Sequence, residues 1–170
     1  MTDWTAAHPL LATRVQALQA MYARRYAPEV LVVTSLLRSD AQQKALYEQG
    51  RSALAIVNPL RIAAGMQPID VKQNAHRVTN ADGVRTRSNH QGVPYQGRMV
   101  AVAADLAPAF DPDGPGPGKP VIDWQDESRF RRIGPLAEAV GLEWGGNWAQ
   151  VDLPHVQLRT EDRNAGAVAA

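Results

Sequence analysis

The sequence predicts an α+β fold, a small antiparallel sheet packed with helices, on three observations. Residues 10–26 carry apolar side chains at Leu11, Val15, Leu18 and Tyr22, three or four apart, the repeat of a helix with one buried face. Residues 30–34 (VLVVT), 99–106 (MVAVAADL) and 154–158 (PHVQL) are short apolar or β-branched runs of strand length. Further helical stretches start near Ala41 and Glu127, and helices with one apolar face bury it against such a sheet.

The elements follow in chain order. In the helix over 10–26, Arg14, Gln16 and Arg24 point outward. Residues 30–34 form a buried strand. Ser39-Asp40 caps a helix over 41–49, and Gly50 stops it. Residues 52–65 are rich in Ala, Ile and Leu and predict a helix that Pro59 kinks or divides. Residues 66–98 hold many turn formers and few periodic signals, so they predict a long, partly irregular loop of the kind that carries function. Residues 99–106 form a strand that ends near a carboxylate. Residues 111–120 (DPDGPGPGKP) predict a surface excursion. A helix opens at 126–128 and runs to about residue 140, where Gly141 ends it. After a last strand at 154–158, residues 159–170 predict a frayed tail. No repeat or linker breaks the chain, so residues 1–158 are expected to be one domain.

Composition narrows the function. Apolar residues make up 45% and charged residues 21% of 170, enough for a true core. A net charge of +1 gives no basic excess for nucleic acid or an anionic membrane surface. No apolar run is long enough for a transmembrane helix, so no stable membrane insertion is expected. The N-terminus lacks a basic start followed by an apolar stretch, so no secretory signal is expected. There is no cysteine, which rules out disulfides and thiolate metal sites. A metal must be held by carboxylates and by the four histidines, His8, His76, His90 and His155.

Three of these positions form the candidate centre. His90 sits in a polar loop, Asp105 closes an apolar strand and His155 opens another. Two His and one carboxylate are a common catalytic zinc set, with the fourth position left to water. A second carboxylate must then move a proton, and Asp152 stands three residues before His155. Each residue alone also suits an ordinary loop or strand end, because this spacing is no metal motif on a single helix face. Arg38 suits a surface ion pair or a site cation. Trp144 and Trp148 flank two glycines and suit either core packing or a cleft wall.

The motifs also come in a telling order. Arg38-Ser39, Gln43, Leu46-Tyr47 and Gly50-Arg51 precede Val78-Thr79-Asn80-Ala81 and Ser88-Asn89-His90. Ala103-Ala104-Asp105-Leu106, Trp144-Gly145-Gly146-Asn147-Trp148 and Asp152-Leu153-Pro154-His155 follow. Over about residues 8–158 this succession resembles the L-alanyl-D-glutamate peptidases of phage endolysins, relatives of the zinc D-alanyl-D-alanine carboxypeptidases. The resemblance implies the hedgehog/DD-peptidase-like fold and a zinc ion on His90, Asp105 and His155. It implies Asp152 as general base and Arg38 steadying substrate or oxyanion. It also implies that Gln43, Ser88, Trp144 and Trp148 lie at the substrate pocket. The implied substrate is the stem peptide of bacterial peptidoglycan, cut by a monomer that waits in the host cytoplasm until a holin opens a path to the wall. A D-alanyl-D-alanine carboxypeptidase and a non-catalytic wall-binding or phage structural relative are the alternatives.

Several features depart from the pattern. His90 and Asp105 stand 15 residues apart, further than the family places them, so about residues 92–99 read as an insertion. Asn147 stands where relatives carry Asp, and Leu36-Leu37 where they carry Gly and an aromatic. Residues 52–77 are longer than in short relatives and are expected to form a lid or a wall-binding surface.

Overall fold

The computed structural model describes residues 2–110 and 121–164. The long first helix, α1 (Pro9–Tyr26), starts where His8 Nδ1 accepts a hydrogen bond from the Leu10 amide at 3.2 Å. Proline suits its first position, where the amide would have no helical partner. The stripe seen in the sequence is its buried face: Leu11, Val15, Leu18 and Tyr22.

That stripe packs on a four-stranded antiparallel sheet of order β1-β4-β6-β5. The strands are β1 (Val30–Ser35), β4 (Ala103–Ala109), β5 (Leu142–Trp144) and β6 (His155–Leu158). A separate hairpin pairs β2 (Val93–Tyr95) with β3 (Arg98–Val100). The core lies between α1 and the sheet, with Leu31, Ala104, Leu106, Val156 and Leu158 among its members. Helix α2 (Asp40–Glu48) begins with a reciprocal capping box between Ser39 and Gln42. Helix α3 (Leu54–Ala63) packs on α2, burying Val57 and Ala45. No helix among the described residues is long and apolar enough to cross a membrane.

Several expectations need correction. The helix expected from 126 to 140 is two, α4 (Glu127–Arg131) and α5 (Ile133–Ala139), broken at Arg132. Pro135 explains the break, because it has no N–H for the Arg131 carbonyl and its ring crowds that carbonyl. The expected strand 99–106 is β3 and β4 with a break at residues 101–102, where Ala101 bridges to Ala7 instead. The irregular loop of 66–98 contains most of the β2–β3 hairpin. Strand β5 was not expected at all, for its three residues are too few to show a period. Pro59 does not divide α3, which runs through it.

Residues 159–164 do not trail away. Asp162 pairs with Arg14 at 2.5 Å, and Arg163 donates to the Leu158 carbonyl at 3.3 Å and to Asn89 Oδ1 at 3.0 Å. The rest of the expected tail, 165–170, and the excursion at 111–120 lie outside the described residues. Residues 52–77 do not cover the site as a lid. Asn58 exchanges hydrogen bonds with Ile69, and Asn74 bonds the backbone of Gly50 and Ser52, so the segment is stitched onto α2 and α3. Of this segment only Arg77 lines the main cleft.

Candidate metal centre

Strand register builds the site. Asp105 on β4 lies directly across from His155 on β6 and, on its other side, across from Ser35 on β1. Directly opposed residues of antiparallel strands hold their Cβ atoms about 4.5–5.5 Å apart, so these two side chains meet by construction.

His90 comes from a short 3₁₀ turn, Asn89–Gln91, in front of the sheet. Ser88 caps that turn: its Oγ accepts from the His90 amide at 3.3 Å, while its own amide donates to Gln91 Oε1 at 2.9 Å. The 15-residue detour between His90 and Asp105 closes on itself. Tyr95 pairs with Arg98 around Gln96 (φ 47°) and Gly97 (φ 78°). Positive φ at both central residues is what a tight two-residue hairpin turn needs. Beyond the hairpin the Val102 amide donates to the Asn89 carbonyl at 3.3 Å. The Arg38 amide also donates to the His90 carbonyl at 2.7 Å. The extra length therefore leaves the histidine next to the sheet.

His90 Nε2, Asp105 Oδ1 and His155 Nδ1 converge, with separations of 3.1 Å from Asp105 to His90, 3.3 Å from Asp105 to His155 and 3.3 Å between the imidazoles. Neighbouring vertices of a tetrahedron with ligands about 2.0–2.1 Å from its centre are about 3.3 Å apart, the zinc geometry. The protons point away from the triangle. His90 Nδ1 lies 2.8 Å from the Leu36 carbonyl, which only accepts, so that nitrogen carries the hydrogen. His155 Nε2 lies 3.1 Å from Gln157 Oε1. The orientation of Gln157 is set because its Nε2 donates to Glu143 Oε2 at 2.5 Å, and a carboxylate accepts only. His155 Nε2 is therefore the donor. Three lone pairs then face one point, an arrangement that a cation stabilises and that matches histidine ligands held by outer acceptors. His90, Asp105 and His155 are the one such group among the described residues. The donor set fits zinc.

Charge around the triangle is arranged to match. Burial alone would raise the Asp105 carboxyl. The adjoining His155 and His90 rings and the charge of Arg38 instead hold it well below the ordinary carboxylate range. Arg38 bonds Asp105 Oδ2 and donates through Nε to Ser35 Oγ at 2.9 Å. It thereby turns Oδ1 toward the two histidines, a placement not legible in the sequence. Burial lowers the Arg38 pKa, opposed by the charges of Asp105 and Asp152. The Asp152 carboxyl is raised by burial first and by the charge of Asp105 second, with His155, His90 and Arg38 pulling the other way.

The turn that carries Asp152 and His155 rests on Gly145. The Gly145 carbonyl accepts from the Asp152 amide at 3.0 Å, and a Cβ on residue 145 would stand 2.5 Å from the Asp152 carbonyl oxygen and 3.1 Å from His155 Cβ. Trp144 sits beneath this turn and does not form the cleft wall. Its ring lies where a Cβ on Gly134 or Gly146 would come within 2.4 and 2.2 Å, and its Nε1 donates to the Leu153 carbonyl at 2.8 Å. Trp148 does reach the cleft, its ring 4.9 Å from that of His155. Gln43 is fully buried and does not line the cleft. Its Nε2 donates to Thr79 Oγ1 at 3.2 Å and the Ala81 carbonyl at 2.8 Å, so it braces a cleft-lining loop. Ser88 lines the cleft, although its hydroxyl is spent on the His90 turn. The cleft measures about 760 Å³ and joins Arg38, His90, Asp105, Asp152 and His155.

Residues 81–158, which hold every residue of the triangle together with Asp152, match the family model described as D-alanyl-D-alanine carboxypeptidase. That match takes in a little under half of the chain, its C-terminal part. The chain is similar to the peptidoglycan L-alanyl-D-glutamate endopeptidase CwlK of Bacillus subtilis (strain 168), at 25% identity over 152 residues, covering 89% of this chain and 72% of the relative. The fold is that of the Serratia marcescens L-Ala D-Glu endopeptidase ChiX, with a TM-score of 0.51, 20% identity, and coverage of 97% of this chain and 88% of that one.

Asn147 does not line the main cleft. Its Nδ2 donates to Glu138 Oε1 at 2.7 Å. The sequence reading missed Gln157, Glu143 and Asn89, which orient His155. Gln157 had a usable signal, since two residues along a strand share a face with the ligand. Glu143 had none, because its strand was not recognised.

Proposed function

We propose that this chain is a zinc-dependent peptidoglycan endopeptidase that cuts the L-alanyl–D-glutamate bond of the stem peptide. The observation that carries the reading is the triangle of His90 Nε2, Asp105 Oδ1 and His155 Nδ1 at 3.1–3.3 Å, opening into the same cleft as Asp152 and Arg38. A zinc ion on these three would supply a Lewis acid and lower the pKa of a water at its open position. Asp152 then takes the proton from the attacking water and passes it to the leaving amine, and burial favours a carboxyl able to hold that proton. Arg38 holds Asp105 in place and adds a positive charge to a cleft meant for an anionic peptide. The similarity to CwlK supports the choice of bond.

The family description favours a second reading, D-alanyl-D-alanine carboxypeptidase. Defined muropeptides separate the two by product: release of L-alanyl-bearing glycan supports the first, and loss of a terminal D-alanine the second. We attach phage-mediated lysis to the first reading on the resemblance of the ordered motifs alone. Cytoplasmic expression with and without a holin tests it. Asp152→Asn is expected to keep about one zinc per chain and to lose 100-fold or more in cleavage rate. Full activity in that variant refutes Asp152 as the base, and wild-type protein that takes up no zinc refutes the metal centre.

A further inference from the structure

The cleft is lined by two chemically different sets of side chains. Residues 77–89 contribute Arg77, Asn80 and Arg87, while the segments after residue 121 contribute Trp124, Trp148 and Val151. Trp124 is the larger of the two most exposed of these, 54% accessible as part of the cleft lining. One face of the ring is supported. It stacks on Phe130, itself buried, with centroids 5.7 Å apart and planes 25° apart.

The backbone beneath is held as well. Asp123 Oδ1 accepts from the Gln125 amide at 3.0 Å, and Asp126 caps α4 through the Arg129 amide at 3.3 Å and the Ser128 hydroxyl at 2.5 Å. A supported ring binds with little further ordering cost. The charges beside it balance, since Asp126 pairs with Arg129 at 3.1 Å, whereas an anionic peptide is drawn toward Arg77 and Arg87 across the cleft. A neutral ligand with an apolar face suits the ring.

We infer that Trp124 is a sugar-stacking subsite that holds the N-acetylated glycan strand while the peptide lies along the arginine-lined part of the cleft. This rests on the peptidoglycan reading above and deepens it. The two linings match the two halves of that substrate, a neutral sugar chain and an acidic peptide. A cleft of about 760 Å³ also exceeds what the scissile dipeptide alone needs.

The test uses two substrates that share the scissile bond: the free stem tripeptide, and the same peptide attached to its disaccharide. The zinc-loaded wild type is expected to prefer the disaccharide form about tenfold in kcat/KM, mainly through KM. The ratio of the two values, taken within each variant, is independent of the active fraction. Trp124→Ala should bring that ratio to near one, and Trp124→Phe should keep most of it. Equal wild-type efficiency on both substrates, or an unchanged ratio in Trp124→Ala, overturns the inference. The wild-type comparison decides even if the alanine variant does not fold. Cleavage of neither substrate refutes the endopeptidase reading instead, so the two failures are distinct.

Discussion

Gln157 shows how much of the site rests on residues that orient the candidate ligands. Its amide receives the His155 N–H and the Asn89 amide while donating to Glu143. Asn89 is in turn held by Arg163. Removing the acceptor frees the His155 ring to turn, and partners of this kind are worth about 10–100-fold in metal affinity. Gln157→Ala should therefore lose zinc to a chelator at roughly 10-fold lower concentration than wild type, with the fold intact by circular dichroism. Tyr22 illustrates a different effect, on stability. Burial raises its hydroxyl above the ordinary tyrosine value, and donation to Glu29 raises it further. A raised folded pKa contributes stability that is present below the unfolded value of about 10 and is lost as pH rises through the folded one. Tyr22→Phe should flatten the fall in urea midpoint between about pH 9.5 and 11 that the wild type shows.

At the scale of elements, the loop between β5 and β6 is the part most sensitive to small changes. Gly145 has a β-strand behind it and the Asp152–His155 turn in front, so a methyl group there meets backbone, which cannot rotate away. Gly145→Ala should cost about 1–3 kcal/mol of stability and lower zinc occupancy as the turn shifts His155. Thermal melts and metal analysis check both, and a variant with normal zinc content would show that the turn yields without moving the ligand. The β2–β3 hairpin works the other way. Its two-residue turn returns the chain to where it left, so its length matters less to the site than the clamp between Val102 and Asn89.

For the whole molecule, the centre ties together pieces that are far apart in the chain: the turn at residue 90, strand β4 in mid-chain, and strand β6 near the end. A ligand that binds only the folded state stabilises it by about 2.7 kcal/mol at 100 times its Kd, which for a chain of this size is roughly 5–10 °C in Tm. Removing zinc with a chelator should lower Tm by about that much, and adding zinc back should restore it; an unchanged Tm would count against a metal linking the three elements. What the sequence determined by itself was local: the apolar stripe of α1, the capping box of α2, the three strand-like runs, and the residue types a zinc peptidase needs. Period and capping act over one or two helical turns, so a single chain displays them. Only the tertiary structure decided that Asp105 faces His155, that Arg38 is spent on Asp105, that Trp144 and Gln43 brace the site from within, and that Pro135 splits the last helix. Those outcomes depend on strand register and on which side chains fill the space between packed layers, and such long-range pairings leave no periodic trace along the chain.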